Sequence, residues 1–282
     1  MAGDRPIDRW LVPTGRFVRD HQAAIAVGFI VVGVCLAATA VARKSVTVDE
    51  FQVLPHGLAI LRTGDFHLDP GVPPLANELT ALPLLFTSAR LDVSNYGQVA
   101  TTWECGHRFM EQNTDRYHTY FMYGRAVSLT ALCLTCFLTF GFSRSLYGNA
   151  GGLLTAALVA LSPSLLAHGA LVTPDIFLTA GLIGSLWALD SLLRRPRWDN
   201  ALAFGVALGA ASLAKFTGLL LFPIYFLVIA GFQVADRFRR GRSRDDPVPW
   251  RRLWLAAAFS LLIVCSRSSI NPAVRKTADS PA

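Results

Sequence analysis

Two adjacent carboxylates, Asp49 and Glu50, follow directly on the first long apolar segment, and two cations, Arg125 and Lys215, lie in later apolar stretches with His168 and Asp175 between them. A carboxylate can take up a proton and a cation can stabilise an anion, which makes Asp49 and Glu50 on one side and Arg125 and Lys215 on the other the residues to account for. Arginine presents a planar fork that grips an anion in two places, and lysine a point charge. Held at a membrane surface, such a group would act on a substrate whose tail lies in the bilayer.

Each residue also has a plainer reading. Asp49 suits the N-cap of a helix beginning near Glu50, and Asp175 after Thr173-Pro174 suits a helix start. Arg125 suits snorkelling to headgroups, and Lys215 an ordinary turn. What raises the functional reading is cost: a charge at membrane depth is unfavourable by about 2.5 to 3.5 kcal/mol even on insertion scales.

The elements that must position these groups are membrane spans. The 282 residues are 52% hydrophobic and 16% charged, with a mean hydropathy of +0.41, against about 25% charged in an average soluble chain. Gln22 to Ala42 carries no charge and is long enough for a hydrocarbon core that needs about 20 residues. Ala40-Val41-Ala42 imitates a cleavage site, but the stretch exceeds the roughly 7 to 15 apolar residues of a signal peptide and reads as an uncleaved anchor. Further segments run from about Phe121 to Phe142, Ala150 to Ala167, Ile176 to Leu193, Ala201 to Ala235 and Leu253 to Cys265. The stretch from Ala201 to Ala235 is too long for one span and should turn near Lys215 to Gly218, which brings the expected count to seven.

The arginines orient these spans. Arg144, then Arg194, Arg195 and Arg197, then the cluster from Arg237 to Arg252 fall on one side if the segments alternate, and the positive-inside rule makes that side cytoplasmic. Residues 1–21 are then a cytoplasmic N-terminus, 22–265 a transmembrane domain with its outer loop at 43–120, and 266–282 a polar tail expected to be disordered. The short last span and polar tail read as a truncated or frameshifted product, or as a reduced form. A net charge of +7 is explained by the basic loops beside lipid headgroups and gives no reason to invoke nucleic acid.

Other candidates carry less. Cys133 and Cys136 have CxxC spacing but lie mid-span without histidine partners, and Cys105 stands alone in the outer loop, so no disulfide framework or thiol site is expected. His56, His67 and Asp69 match no strong metal-ligand spacing. Glu78 reads as the wet face of a helix, and Asp190 and Asp236, beside arginines, are assigned no chemistry. In the outer loop, Phe51, Leu54, Leu58 and Leu61, then Leu75, Leu79, Leu82 and Leu85, have helical spacing and predict two interfacial helices separated by a stop at Arg62 to Phe66. Arg90 to Thr119 has no clear pattern.

These residues carry a family resemblance. Asp49-Glu50, Gly64-Asp65-Phe66, Pro73-Pro74-Leu75-Ala76 and Ala81-Leu82-Pro83 resemble the first outer loop of the protein O-mannosyltransferase and aminoarabinose transferase superfamily, polytopic GT-C glycosyltransferases. Leu161-Ser162-Pro163 with His168 and Val172-Thr173-Pro174-Asp175, then Leu213 to Gly218 with Pro223, resemble the following outer segments. The resemblance covers Val48 to Pro223 and implies an all-α, GT-C-like membrane fold. It further implies an inverting enzyme that moves a sugar from a polyprenyl-phosphate donor to a protein, lipid or glycan acceptor at the outer face of a bacterial plasma membrane. On that resemblance Asp49 would be the base that takes the proton of the acceptor hydroxyl, with Glu50 beside it in the catalytic set; Arg125 and Lys215 would hold the donor phosphate, and His168 and Asp175 would bind substrate. No cofactor beyond the lipid-linked donor is called for, and a divalent metal is compatible with the residues. The chain departs from the pattern where relatives often carry a charged residue or histidine before Pro-Pro and a lysine after it; here stand Gly71-Val72 and Asn77. A noncatalytic membrane subunit, or a transporter or flippase of lipid-linked substrate, is the rival class, although no paired repeat is evident.

The topology is testable with cysteines introduced by Ser94→Cys and Ser243→Cys in a background lacking Cys105. An impermeant thiol reagent should label the first and not the second in intact cells; the reverse pattern would overturn the orientation and every site assignment that depends on it.

Overall fold

The computed structural model describes residues 20–70, 72–94, 99 and 101–240, with side chains to 235, and among them every regular element is helical. The helices are α1 (Gln22–Ala42), α2 (Val48–Thr63), α3 (Leu75–Ala81), α4 (Thr102–Gln112), α5 (Tyr117–Ala160), α6 (Pro163–Gly169), α7 (Asp175–Arg194), α8 (Trp198–Ala214) and α9 (Leu221–Arg240). Short 3-10 turns at Leu82–Phe86 and Phe216–Leu220 extend α3 and open α9.

Four segments are long and apolar enough to cross a membrane: Gln22–Ala42, Tyr117–Ala160, Asp175–Arg194 and Phe216–Ala235. The expected seven spans are therefore not counted one for one. The reason lies partly in α5, where Gly148 has φ 73° and ψ −167°, a conformation that only glycine enters easily. The Ser143 hydroxyl lies 2.8 Å from the Thr155 hydroxyl, although 12 residues of straight helix would separate them by about 18 Å. The chain thus reverses at Gly148, and the 44-residue element is a hairpin of two legs that match the expected spans from Phe121 and from Ala150. The second leg ends early, at Ala160, and Pro163 begins α6 in place of a continuous span to Ala167. At the other division, α8 ends at Ala214, Lys215 is extended, and a 3-10 turn follows, as the charge at Lys215 predicted. α8 has only 17 residues, and the expected span from Leu253 to Cys265 lies outside the described residues.

Helix packing rests on small residues. A Cβ on Gly181 would stand 2.8 Å from the Ala211 Cα, so α7 and α8 touch backbone to backbone, and Gly33 of α1 lies directly against the Ala160 carbonyl. The outer faces of these helices, with Val31, Leu36, Leu134, Leu154 and Leu227 about half exposed or more, are the lipid-facing surface of such a bundle.

The loop from 43 to 120 folds onto one end of the bundle. α2 runs from Thr47 to a left-handed stop at Gly64, as expected, but it is not a surface helix: every residue from Leu54 to Ile60 is buried, under α3, α4 and α5. Along α3 and its 3-10 extension the expected apolar face is turned outward, with Leu82, Leu85 and Phe86 of the extension exposed, while Ala76, Asn77, Glu78 and Thr80 of α3 face the protein. Glu78 is accordingly buried at 7% exposure and is not a wet face. The patternless stretch contains α4, started by the Thr101 hydroxyl accepting from the Glu104 amide at 3.2 Å. Gly106 lets α4 lie on α2, since a Cβ there would meet the Phe51 carbonyl at 2.6 Å. Arg62 ties down the intervening chain by donating to the carbonyls of Ala89 at 2.8 Å and Leu91 at 3.0 Å.

Gly148 and Gly28 make a direct comparison. Gly148→Ala must force a non-glycine residue into a sparsely allowed conformation and should cost about 1 to 3 kcal/mol, whereas Gly28→Ala, in open space mid-helix, should be neutral or mildly stabilising. Thermal unfolding in detergent reads the difference; equal midpoints would contradict the reversal at Gly148.

Candidate active site

The carboxylate pair is divided between two environments by helix geometry, because consecutive helical residues point about 100° apart. Thr47, not Asp49, is the N-cap of α2, and Glu50 reaches back to it: its Oε2 accepts from the Thr47 amide and hydroxyl, both at 3.0 Å. This removes the capping role from Asp49, which stands free of the cap on the exposed side of the first turn.

Glu50 is fully buried against a fully buried Arg125. Arg125 Nε donates to Oε1 at 2.8 Å and Nη2 to Oε2 at 2.7 Å, a bidentate pair. The remaining guanidinium hydrogens go to backbone carbonyls: Nη1 to Val41 and Lys44, both at 3.0 Å, and Nη2 to Ser45 at 2.8 Å. Five N–H donors thus meet five protein acceptors. Glu50 Oε1 also accepts from the Val172 amide at 3.1 Å. Burial opposes ionisation of Glu50, but the Arg125 and Thr47 hydrogen bonds and the Arg125 charge outweigh it and hold the carboxyl below its ordinary range. Neither residue is available to substrate here. Both side chains are consumed in joining α1, α2, α5 and the segment before α7, so the roles expected of Arg125 at a phosphate and of Glu50 in catalysis would require this pair to open.

Asp49 instead lines a cavity of about 310 Å³ together with Asp175, Lys215, His56, Asn77 and Thr173. The Val172 bond to Glu50 brings Thr173 and Asp175 to this place, while the break between α8 and the 3-10 turn brings Lys215. Asp175, at the first turn of α7, accepts from Lys215 Nζ at 2.6 Å. The two side chains are 39% and 43% exposed, so the pair is only weakly committed and Lys215 keeps donors for a further anion. The structure therefore brings together Asp49, Asp175 and Lys215 and leaves out His168, which is exposed at the end of α6.

Sequence reasoning missed His56, Asn77 and Thr173 as cavity residues. Only their proximity to Asp49 and Asp175 in the chain could have pointed to them. His56 is pushed down to about 4 by burial and by the His67 charge, against the opposing effect of Asp65, so it is neutral at neutral pH. Cys105 is buried in α4, and burial pushes its thiol up to about 12, which makes it inert. Among the described residues no group of three His, Cys, Asp or Glu side chains is placed to hold a metal ion.

The two cations should behave oppositely. Arg125→Met leaves Glu50 as an uncompensated buried charge and should cost about 3 to 5 kcal/mol, seen as a large fall in thermal midpoint or loss of folded protein. Lys215→Met, at a half-exposed pair, should leave the midpoint nearly unchanged. A stable Arg125→Met protein would refute the structural role of the buried pair.

The comparisons with known proteins bear on the second half of the chain. No curated protein and no solved structure matches it. The model of the dolichyl-phosphate-mannose-protein mannosyltransferase family matches residues 121–268, just over half of the chain, from the start of the α5 span onward. The match takes in Arg125, Asp175 and Lys215, while Asp49 and the outer loop precede it. With an all-helical membrane fold of the GT-C type, this chain belongs to the dolichyl-phosphate-mannose-protein mannosyltransferase family.

Proposed function

We propose that this protein transfers a sugar from a polyprenyl-phosphate donor to an acceptor hydroxyl at the outer face of the membrane, with inversion at the anomeric carbon. The observation that carries this reading is the shared cavity: an exposed carboxylate with no structural duty, Asp49, faces the same space as the Asp175–Lys215 pair, in a chain of a glycosyltransferase family. Asp49 takes the proton of the acceptor hydroxyl as its oxygen attacks the anomeric carbon. The bond from that carbon to the phosphate oxygen breaks, and the polyprenyl phosphate leaves with the electron pair, its added charge met by Lys215. Asp175 keeps Lys215 aimed into the cavity. The chemistry supplied by the chain is thus acid–base and electrostatic.

The placement of α3 supports a lipid-borne donor. Its Asn77 lines the polar cavity, whereas Leu75 and Leu79 line an apolar groove of about 640 Å³ that continues between α5, α7 and α8. A donor with its phosphate at Lys215 and its prenyl chain in that groove would cross from one to the other over this single helix. Arg194, Arg195 and Arg197, at the far end of α7 from Asp175, favour an outward orientation of the cavity.

The decisive variant is Asp49→Asn, which keeps size but accepts no proton. Sugar transfer from a polyprenyl-phosphate donor should fall roughly a hundredfold or more with folding unchanged, because Asp49 makes no contact in the buried knot. Lys215→Ala should weaken donor use at least about tenfold. Wild-type transfer by Asp49→Asn would leave the mechanism without its base.

A further inference from the structure

One wall of the cavity carries three hydrogen-bonding atoms that no protein group satisfies: His56 Nε2, Asn77 Oδ1 and the Thr173 hydroxyl. Their residues are 2%, 3% and 4% exposed. Buried polar atoms are almost always paired, because an unpaired one forfeits its hydration without return. Three in a single wall, on three different segments, are a concentration that packing does not explain. Thr173 in particular is set at the start of α7, yet its hydroxyl caps nothing.

Their chemistry is neutral and complementary. Asn77 Nδ2 lies 3.4 Å from His56 Nδ1. With that amide donating to the ring, His56 is protonated at Nε2, which becomes a donor, and Asn77 Oδ1 remains an acceptor. The opposite tautomer, with the amide turned over, exchanges the roles and still leaves one donor and one acceptor. Thr173 adds a hydroxyl that serves as either. Burial keeps His56 uncharged at neutral pH, so this wall offers hydrogen bonds without net charge. It lies in the same cavity as the Asp175–Lys215 pair that suits an anion. The pairing is enforced by close backbone approach: Gly57, next to His56, admits the Asn77 carbonyl, where any Cβ would collide.

We infer that His56, Asn77 and Thr173 form the part of the cavity that recognises hydroxyls of the sugar being transferred, and so set which sugar is accepted. A vicinal pair of sugar hydroxyls offers both a donor and an acceptor, the two kinds of partner these atoms lack. A site that leaves its own polar groups unpaired when a hydroxyl is missing discriminates strongly against the deficient ligand. The inference rests on the proposed transferase reading.

The test compares two lipids, a polyprenyl phosphate bearing mannose and the same polyprenyl phosphate without sugar, for equilibrium binding to the purified full chain. Wild type should bind both. Thr173→Val, which is isosteric, and His56→Leu should each lose about tenfold or more in affinity for the mannosyl lipid and nothing for the sugar-free lipid. His56→Gln, which keeps a hydrogen-bonding group near Nε2, should retain most of the affinity. Thr173→Val removes only an unsatisfied group and should not lower the thermal midpoint; His56→Leu also breaks the contact with the Asn77 amide, and if it fails to fold Thr173→Val decides alone. Unchanged mannosyl-lipid affinity in Thr173→Val, or equal losses for both lipids, would overturn the subsite while leaving the transferase reading intact. Failure of wild type to bind either lipid would overturn both.

Discussion

The structure depends on neutralising one buried guanidinium. Arg125 sits where water cannot reach it, and an isolated charge there would be prohibitively costly. Its solution recruits the end of α1 through the Val41 carbonyl, the connection to α2 through those of Lys44 and Ser45, the start of α2 through Glu50, and the approach to α7 through the Val172 amide that shares Glu50. Those are the segments that carry or adjoin the cavity residues. The knot touches no substrate, yet it sets where Asp49 and Thr173 can be. Apolar packing in its place can preserve stability, but the fixed hydrogen-bond directions that place the two segments would be lost.

The cavity and the knot are therefore two sides of one helical turn. Inside, every donor and acceptor is matched; outside, an aspartate, a half-committed lysine and three unpaired polar atoms are left open. Folding free energy is concentrated in the first set so that the second can remain unsatisfied. The glycines at 57 and 106 serve the same end, letting α3 and α4 lie directly on α2 so that the outer loop forms a firm wall above the spans.

Much of this was legible in the chain. The apolar runs marked the helices, Lys215 marked the turn after α8, and Gly64 marked the end of α2, because each follows from local energetics that the sequence displays. The division of labour within Asp49-Glu50 was legible only in part. That the two should differ follows from helical geometry, but which one turns inward depends on Arg125, 75 residues away, and no local pattern encodes such a contact. Arg125 itself was ambiguous for the same reason: a buried arginine and a phosphate-binding arginine look alike until their partners are known. The burial of Glu78 and of the middle of α2 was missed because a helix read as lying in the interface is expected to keep its polar face in water, whereas here the outer loop folds back over both helices. α4 was missed because its helical start depends on a single threonine cap.

The order of the two acidic residues has a consequence for how this region can vary. Written aspartate first, the longer side chain lies inward, where it spans to the guanidinium, the threonine and the valine amide, while the shorter one stands at the cavity. With the letters exchanged, the inner carboxylate would fall one methylene short of its partners and the outer one would intrude by the same amount. Each position looks tolerant of the conservative swap, but the dipeptide as a unit is not reversible. Drift at either site is coupled to the other, and a lineage could cross between the two orders only through an intermediate that is impaired at one of the two tasks.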